Sequence, residues 1–392
     1  MQRSFAALES RVFDVLVIGG GITGAGIARD AAMRGMSVAI VEKEDWASGT
    51  SSRSSRLIHG GIRYLEHGQI GMVRESVRER EILLRIAPHL VKPLEFTWPV
   101  YRGARLPKWK LRIGLAIYDF LAGQSGIERH RPIDAEGVLE AEPHLRKDGL
   151  AGGAIYYDAA TDDAGLTVAN MVSAVQNGAL AVNYARVESV TRKGAKSGGA
   201  IVRDQESEAT ARVAAHSVVS ATGPWQVKGT KGSHIVLDTK RVGNRGAVTM
   251  ISPDDGRVMF TLPSGDRTII GTTDIFTDES PDDVRASEGE IAYLLNAANR
   301  YFPSADLTTD DVLDTWAGIR PLAASKPGRN PSSISREHSI VRDSSGTIVV
   351  TGGKLTTYRS MAAQVVDEIQ RGLRTRVTPC TTDSVMLPVG GG

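Results

Sequence analysis

The sequence has little cysteine and no long apolar run, and each absence excludes a class of protein. Its 392 residues include one cysteine, Cys380, which excludes an intrachain disulfide and a cysteine-based metal cluster. No apolar run approaches the roughly 18 residues of a membrane-spanning helix. The N-terminal segment also lacks the pattern of a signal peptide. We therefore expect a protein of the cytoplasm.

An excess of charge of one sign is also lacking. The 47 lysines and arginines face 45 acidic residues, which gives a net charge of +2. A chain with such balanced charge has no general attraction for nucleic acid, so we predict no nucleic-acid partner. Any site that binds an anion must therefore depend on a local group of cationic residues. The eight histidines are scattered without the pairing of metal ligands, so no metal is predicted. Glycine is abundant, with 42 residues, which indicates tight turns or close backbone approaches to a ligand.

The N-terminal segment predicts a compact βαβ unit. Residues 13–18 form a β-branched apolar run of the length of a buried strand. Residues 22–34 follow as a helix with small residues on its packing face, and residues 37–42 form a second strand. Units of this kind build a parallel sheet.

A glycine motif lies between the first strand and the helix. Gly19, Gly21 and Gly24 satisfy G-x-G-x-x-G, in which the glycines permit a tight turn, the approach of a pyrophosphate, and helix–strand packing. The helix N-terminus presents free N–H groups to that pyrophosphate. Glu42 ends the next strand, where it can accept both hydroxyl hydrogens of an adenosine ribose, which argues against NADP. This context predicts a dinucleotide site; a merely structural glycine turn is the alternative.

Two later strands favour FAD over NAD. Residues 217–225 form a strand that ends in a glycine turn, and residues 347–359 form a strand followed by Gly-Gly and a helix. An NAD domain does not need the last piece. A flavin does, because a helix beginning near Leu355 would stabilise the negative charge of the reduced ring. Two generic strand-to-helix turns are the alternative reading.

The motifs together resemble those of the FAD-dependent glycerol-3-phosphate dehydrogenases. The resemblance covers residues 12–388, whereas the wider group of D-amino-acid-oxidase-like flavoproteins shares only the glycine motif and the ATG and GG turns. The motifs that carry it occur in the family's order: GGGITGAGIARDAAMRG, TSSRSSRLIHGGIRYLEHG, SATGPW, KGSHIV, IIGTTD, GIRPL and GGKLTTYR.

The resemblance implies an α/β fold with two domains. A discontinuous Rossmann-like FAD-binding domain would comprise residues 11–92, 151–226 and 316–378. A smaller α+β substrate or cap domain, built on an antiparallel sheet, would comprise residues 93–150 and 227–315. The implied activity is the oxidation of sn-glycerol 3-phosphate to dihydroxyacetone phosphate with FAD as hydride acceptor. Electrons then pass to quinone or another acceptor in the dehydrogenases, and to oxygen in the related oxidases.

A phosphate monoester needs cationic forks, which arginine provides. The resemblance assigns phosphate or substrate binding to Arg63, Tyr64, Arg320, Arg336 and Lys354. Arg63 and Arg320 lie beside glycine or proline in apolar surroundings, where an unpaired charge is costly. This context favours a buried anion as their partner.

The resemblance also suggests catalytic residues. While hydride leaves C2, the hydroxyl proton must go to a base, and His234 is similar to the family's candidate base. A pKa near 6.5 would suit that role around neutral pH. A hydrogen-bonded histidine of the sheet is the alternative. Arg320 is the second predicted catalytic residue, and residues 272–274 are interpreted as a turn.

The predicted cofactor-binding residues lie in three places: the glycine motif, the hydroxyl-rich run at 50–55, and the later strands and turns. Covalent attachment of the flavin stays open. The predicted residues are Gly19, Gly21, Thr23, Gly24, Glu42, Thr50, Ser51, Ser52, Ser55, Leu57, Val187, Thr222, Gly223, Gly352, Gly353, Lys354, Leu355 and Thr356.

The sequence departs from the family pattern in two places. Membrane-bound relatives continue past VMLPVGGG into a helical C-terminal domain, and they carry a longer segment between SATGPW and KGSHIV. We expect both parts to be deleted here, naturally or by engineering. Residues 106–123 combine a cationic cluster, a tryptophan and an apolar face, which fits a helix on the inner face of a membrane. An ordinary cap-domain helix is the alternative.

Three other functions stay open at this point. One is a glycerol-3-phosphate oxidase that uses oxygen. Another is an amino-acid or amine oxidase of the same fold, although a carboxylate substrate needs one arginine and this chain offers several cations. The third is a flavin-binding interaction protein without turnover.

Overall fold

The computed structural model describes residues 3–123, 126–194, 196–223, 229–321 and 338–389. Strands and α-helices in these ranges are numbered β1–β18 and α1–α8 in chain order. The strands form two large sheets. In the described part of the chain, every helix is too short or too polar to cross a bilayer.

The first sheet is mostly parallel and is built around the N-terminal strand. Eight strands belong to it: β1 (Val12–Ile18), β2 (Val38–Val41), β7 (Leu180–Val182), β8 (Ala185–Lys193), β9 (Lys196–Asp204), β10 (Thr210–Ser220), β17 (Ser339–Arg342) and β18 (Ile348–Thr351). The order is β17-β18-β10-β1-β2-β7, and β9 and β8 add antiparallel strands to β10. Leu16 of β1 pairs in parallel with Val218 on one side and Ala39 on the other.

Three helices pack with the first sheet: α1 (Ile22–Met33), α5 (Asp163–Gln176) and α8 (Tyr358–Gly372). Small residues let α1 approach its neighbours closely. At Gly26 a Cβ would come within 2.8 Å of the Tyr358 ring, so the contact with α8 requires glycine there. The predicted helix at 22–34 is confirmed to within one residue of its end.

The second sheet is antiparallel apart from one pairing. Ten strands belong to it: β3 (Leu57–Ile58), β4 (Val91–Tyr101), β5 (Arg131–Ile133), β6 (Leu150–Thr161), β11 (Gly229–Asp238), β12 (Ala247–Ile251), β13 (Val258–Ser264), β14 (Arg267–Gly271), β15 (Ile275–Thr277) and β16 (Asp314–Pro321). The order is β15-β11-β14-β13-β12-β4-β6-β3, with β16 added to β11 and β5 to β6. The pairing of β12 with β4 is parallel.

The remaining helices surround the second sheet and the join between the sheets. They are α2 (Ile70–Ile86), α3 (Lys108–Ala122), α4 (Ala135–Ala141), α6 (Thr239–Val242) and α7 (Glu288–Tyr301). A capping box formed by Ser287 and Glu290 starts α7. Leu294 of this helix packs with Ile235 and Met250 of the sheet in a second apolar core.

Two sequence expectations in this region are wrong. Residues 192–200, RKGAKSGGA, have the composition of a loop and were expected to form one, but β8 and β9 form a hairpin there. Residues 179–192 were expected to form one strand, but they form β7 and β8, because the chain turns at Tyr184, where φ is 50°. β7 then pairs with β2, whereas β8 pairs with β9.

The predicted α/β class, with a Rossmann-like sheet and a separate, largely antiparallel sheet, is confirmed. The predicted domain boundaries stay a prediction, because membership of a sheet alone does not define a domain. β3 falls in range 11–92, and all of β6 except Leu150 falls in range 151–226. Both ranges were assigned to the FAD-binding domain, yet both strands belong to the second sheet. The segments predicted to form the FAD-binding domain therefore contribute strands to both sheets.

Candidate active site

A cavity of 570 Å³ lies where the two sheets meet. Its walls include the ends of β1, β2 and β18 from the first sheet, and parts of β6, β11, β13 and β16 from the second. The cavity brings together most of the residues predicted from the sequence. Gly24 and Ser52 do not line it, and Arg336 lies outside the described residues.

The glycine motif forms the turn from β1 into α1. Gly19 has φ of 110°, a backbone conformation that favours glycine. Gly24 lies beneath the turn rather than in the cavity wall. A Cβ there would collide with the carbonyl oxygen of Gly19, so the close packing of helix against turn requires glycine. The hydroxyl of Ser51 accepts a hydrogen bond from the N–H of Ile22 at 2.9 Å, so the first turn of α1 faces the hydroxyl-rich run.

Glu42 lies at the end of β2 and its carboxylate is held by backbone groups. One oxygen accepts from the N–H of Gly20 at 2.7 Å, and the other accepts from the N–H of Glu44 at 3.0 Å. Each carboxylate oxygen has a further lone pair, so Glu42 can still accept from ribose hydroxyls. The backbone bonds fix the direction in which it does so.

The opposite wall comes from the C-terminal part of the chain. Gly352 and Gly353 follow β18 with positive φ values. A 3-10 turn, Leu355–Thr357, comes next, and α8 begins only at Tyr358. The helix expected near Leu355 is therefore preceded by this tighter turn.

These residues fit a flavin dinucleotide. The amides and hydroxyls around the first turn of α1 suit a pyrophosphate. Glu42 suits a ribose, and the turn after Gly353 lies at the N-terminal end of α8, where the helix dipole favours negative charge. The cavity that joins them is lined from Gly19 to Thr356 along both sheets.

A cationic cluster, formed by Arg63 and Lys354 around the Tyr64 ring, lies in one part of the cavity wall. Lys354 Nζ lies 3.9 Å from the centre of the Tyr64 ring, and Arg63 Cζ lies 5.8 Å from it. Lys354 also donates to Ser76 Oγ at 3.2 Å. Three side chains predicted to bind phosphate are thus close together, although Lys354 lies far from Arg63 and Tyr64 in the sequence.

Arg320, on β16, is held by residues 272–274. Its Nη2 donates to Thr272 Oγ1 at 2.7 Å, and its Nη1 donates to the Thr273 carbonyl at 3.1 Å and to Asp274 Oδ1 at 3.3 Å. The sequence interpretation of these residues as a turn therefore missed a positioning role. Asp274 also pairs with Arg257 at 3.1 Å, so one buried carboxylate holds two arginines of the cavity wall.

His234, on β11, is packed and hydrogen-bonded rather than open. Its ring stacks on Trp316, with centroids 5.0 Å apart and an angle of 18° between planes. Its Nε2 lies 2.8 Å from Ser55 Oγ. His234 is therefore a hydrogen-bonded residue of the sheet that also lines the cavity, and its role as a base stays a prediction.

The pKa of His234 differs from the expectation. Burial, together with the positive charges of Arg320 and Arg56, lowers the pKa of His234 from 6.5 to about 3. The expectation of a pKa near 6.5 is wrong, because the sequence does not reveal this burial. At neutral pH the imidazole is uncharged and has a lone pair, and the lowered pKa makes it a weaker base than a histidine with a pKa of 6.5.

A buried polar network lies behind the loop that contains Arg63 and was missed by sequence reasoning. The Asp158 network consists of Asp158, Arg80, Tyr118 and the amide of Gly60. Asp158 Oδ1 accepts from Tyr118 at 2.6 Å, from Arg80 at 2.7 Å and from the Gly60 N–H at 3.1 Å. The Gly60 N–H also bonds to the Tyr118 hydroxyl, at 2.7 Å. An acidic residue inside an apolar strand, YYDAA, was the available signal.

The comparisons with known proteins first define the class. Residues 14–364 match the family described as FAD dependent oxidoreductase. A relative from Staphylococcus saprophyticus, named aerobic glycerol-3-phosphate dehydrogenase, is 40% identical over 98% of this chain and 72% of its own length. One with the same name from Bacillus subtilis is 38% identical over 100% of this chain and 73% of its own. The chain therefore belongs to the FAD-dependent oxidoreductases and, among them, to the glycerol-3-phosphate dehydrogenase family.

Solved structures agree with this assignment. The glycerol-3-phosphate dehydrogenase of Bacillus halodurans, complexed with FAD, superposes with a TM-score of 0.80 and is 37% identical, over 97% of this chain and 69% of that one. The L-alpha-glycerophosphate oxidase of Mycoplasma pneumoniae with FAD bound has a TM-score of 0.71 at 18% identity, over 97% of this chain and 100% of that one, and supports the fold alone. The predicted cofactor, FAD, is confirmed.

Proposed function

We propose that the protein oxidises sn-glycerol 3-phosphate to dihydroxyacetone phosphate with FAD. The observation that carries the proposal is the placement of the cationic cluster, Arg320 and His234 in the wall of the same cavity as the dinucleotide turn. A small phosphorylated alcohol has both groups that such a wall would bind, a dianion and a secondary hydroxyl. The names of the relatives agree with this substrate.

Each residue has a distinct part in the proposal. Arg63, Tyr64 and Lys354 bind the phosphate through charge and hydrogen bonds. Arg320, fixed by residues 272–274, orients the oxygen on C2. His234 takes the proton of that hydroxyl, and FAD supplies the hydride acceptor when bound. Arg336, the other predicted phosphate ligand, stays a prediction.

We further propose quinone as the electron acceptor and helix α3 as a peripheral contact with the inner face of a membrane. The outer face of α3 is apolar: Trp109 is 62% exposed and Phe120 is 81% exposed, with Ile113 and Ile117 between them. Exposed lysines and an arginine flank this face, which suits anionic lipid. A contact of this kind would bring a cytoplasmic enzyme close to a lipid-soluble acceptor.

The substrate is tested by anaerobic bleaching of the yellow flavin. We expect glycerol 3-phosphate to bleach it, and glycerol and D-amino acids to leave it oxidised, because only the phosphate ester occupies the cationic cluster. Bleaching by an amino acid alone would contradict the proposal and favour an amine or amino-acid oxidase. No bleaching by any of these compounds would favour a flavin-binding protein without turnover. Turnover with oxygen, a soluble quinone and a dye then separates oxidase from dehydrogenase.

The membrane contact is tested by sedimentation with vesicles that contain anionic lipid. We expect the double variant Trp109→Ser/Phe120→Ser to lose most of its binding, since burial of two aromatic side chains contributes about 2–3 kcal/mol each. Leu313→Ser is the matched control, because Leu313 is also a half-exposed apolar residue but lies away from α3. Bleaching by glycerol 3-phosphate in solution should stay unchanged in both. Sedimentation of the double variant at the wild-type level would exclude α3 as the contact.

A further inference from the structure

The imidazole of His234 is almost closed off from the cavity. Only 1% of the residue is exposed. Trp316 covers a face of the ring, and the backbone of Gly271 is so close that a Cβ there would collide with the imidazole. A substrate hydroxyl therefore has little direct access to the ring nitrogens.

Ser55 occupies the position from which Nε2 can be reached. Its hydroxyl lies 2.8 Å from Nε2, and Ser55 is only half-buried and lines the cavity. Within the part of the chain that the structure describes, Nδ1 of His234 is buried without a hydrogen-bond partner. A lone pair on Nε2 would accept the Ser55 proton, so Ser55 has one side towards the base and one towards the cavity.

The segment that carries Ser55 is anchored at two points. The indole N–H of Trp316 donates to the carbonyl of Ser54 at 3.2 Å, so the residue that stacks on His234 also holds the neighbour of Ser55. The N–H and hydroxyl of Ser54 both donate to Asp163, at 3.1 and 2.6 Å. Rigid placement of this kind is what a proton-transfer group requires.

We propose that Ser55 is a catalytic residue that relays the substrate's hydroxyl proton to His234. The proposal rests on the proposed function. The C2 hydroxyl gives its proton to Ser55 Oγ while the Ser55 proton moves to His234 Nε2. The C2–H electron pair leaves as hydride to the oxidised cofactor, and the oxygen electrons left behind form the carbonyl. Ser55 returns to its starting state and His234 carries the proton. Sequence analysis assigned Ser55 to cofactor binding only.

The first test compares holoenzyme variants by anaerobic stopped-flow reduction of the flavin with glycerol 3-phosphate. We expect Ser55→Ala to slow reduction about 10²-fold, in the range for lost proton transfer, and Ser55→Thr to stay within about tenfold of wild type. FAD content and substrate affinity should be unchanged. Ser264→Ala is the matched control, because Ser264 is also a half-buried serine but lies outside the cavity wall. Reduction of Ser55→Ala within about threefold of wild type would overturn the relay.

Two further measurements separate a relay from a residue that only orients His234. A relay moves two protons, so the reduction rate of wild type should curve with the fraction of D2O; a linear dependence overturns the proposal. Nitrogen-15 NMR of the imidazole in the oxidised protein should show the proton on Nδ1, and a proton on Nε2 would overturn it independently of activity. Failure of wild type to be reduced by glycerol 3-phosphate would instead overturn the proposed function itself.

Discussion

Replacement of Arg320 with alanine is expected to lower kcat/KM for glycerol 3-phosphate by about 10³-fold, or ~4 kcal/mol, and to leave FAD bound. Arg320 is held by Thr272, the Thr273 carbonyl and Asp274, so its guanidinium is fixed before substrate arrives. Alanine removes the fork and its ion pair with the buried Asp274, which still pairs with Arg257. The glycine turns predicted to bind FAD lie in other elements, so the cofactor should stay.

Steady-state kinetics and the flavin spectrum of the purified variant measure the two parts of this prediction. Arg320→Lys is informative because lysine keeps the charge but not the planar fork, so it should recover only part of the loss. Arg241→Ala is the control, since Arg241 is exposed and pairs with Asp311 on the surface. Loss of FAD from Arg320→Ala at wild-type protein yield would refute the placement of Arg320 at the substrate.

Replacement of Asp158 with alanine is expected to lower the free energy of unfolding by about 3 kcal/mol, because it removes a buried carboxylate that pairs with Arg80 and leaves Glu81 as the carboxylate still paired with this buried arginine. Arg80 and Asp158 are both buried, and Tyr118 and the Gly60 amide share the same carboxylate oxygen. Burial raises the pKa of Asp158, while Arg80 and the hydrogen bonds oppose that shift. The KM for glycerol 3-phosphate should rise as well, because the Gly60 amide anchors the loop that leads to Arg63.

Urea unfolding and substrate kinetics test this pair of effects. Asp158→Asn keeps the shape and one acceptor, so it should fold and show a smaller loss of stability with the same direction of change in KM. Glu188→Ala removes one of two exposed partners of Arg203 and should change stability by less than about 1 kcal/mol. An unchanged KM in a folded Asp158→Asn variant would show that the network does not position the substrate loop.

Sequence patterns predicted the secondary-structure elements that depend on interactions between residues close together in the chain. The strand, glycine turn and helix from Val12 to Met33 follow from apolar periodicity and from the glycine motif, and the observed bounds differ from the prediction by one residue. Pairings between distant strands were not accessible in this way. The residues of β6 alone do not indicate which sheet it joins. It lies in the second sheet because it pairs with β4 along almost the whole length of β6.

The same distinction applies to the active site. Glycines and cations carried a signal in the sequence, since their spacing or neighbours were unusual. Trp316, Asp274 and Asp158 carried little, because their roles arise from contacts across the fold. The pKa of His234 is the clearest case, because its value depends on burial and on two arginines that only the folded chain brings near.

The central position of β1 has a consequence for biosynthesis. Its partner β2 follows soon after it in the chain, but its other partner, β10, is synthesised much later. Until then a nascent chain presents an apolar strand with an unpaired edge, which is prone to aggregation and to capture by chaperones. The wall after Gly353 emerges later still. The predicted flavin site is therefore complete only after the residues up to Thr356 have been synthesised, so we expect the supply of flavin to influence folding after that point rather than its first stage.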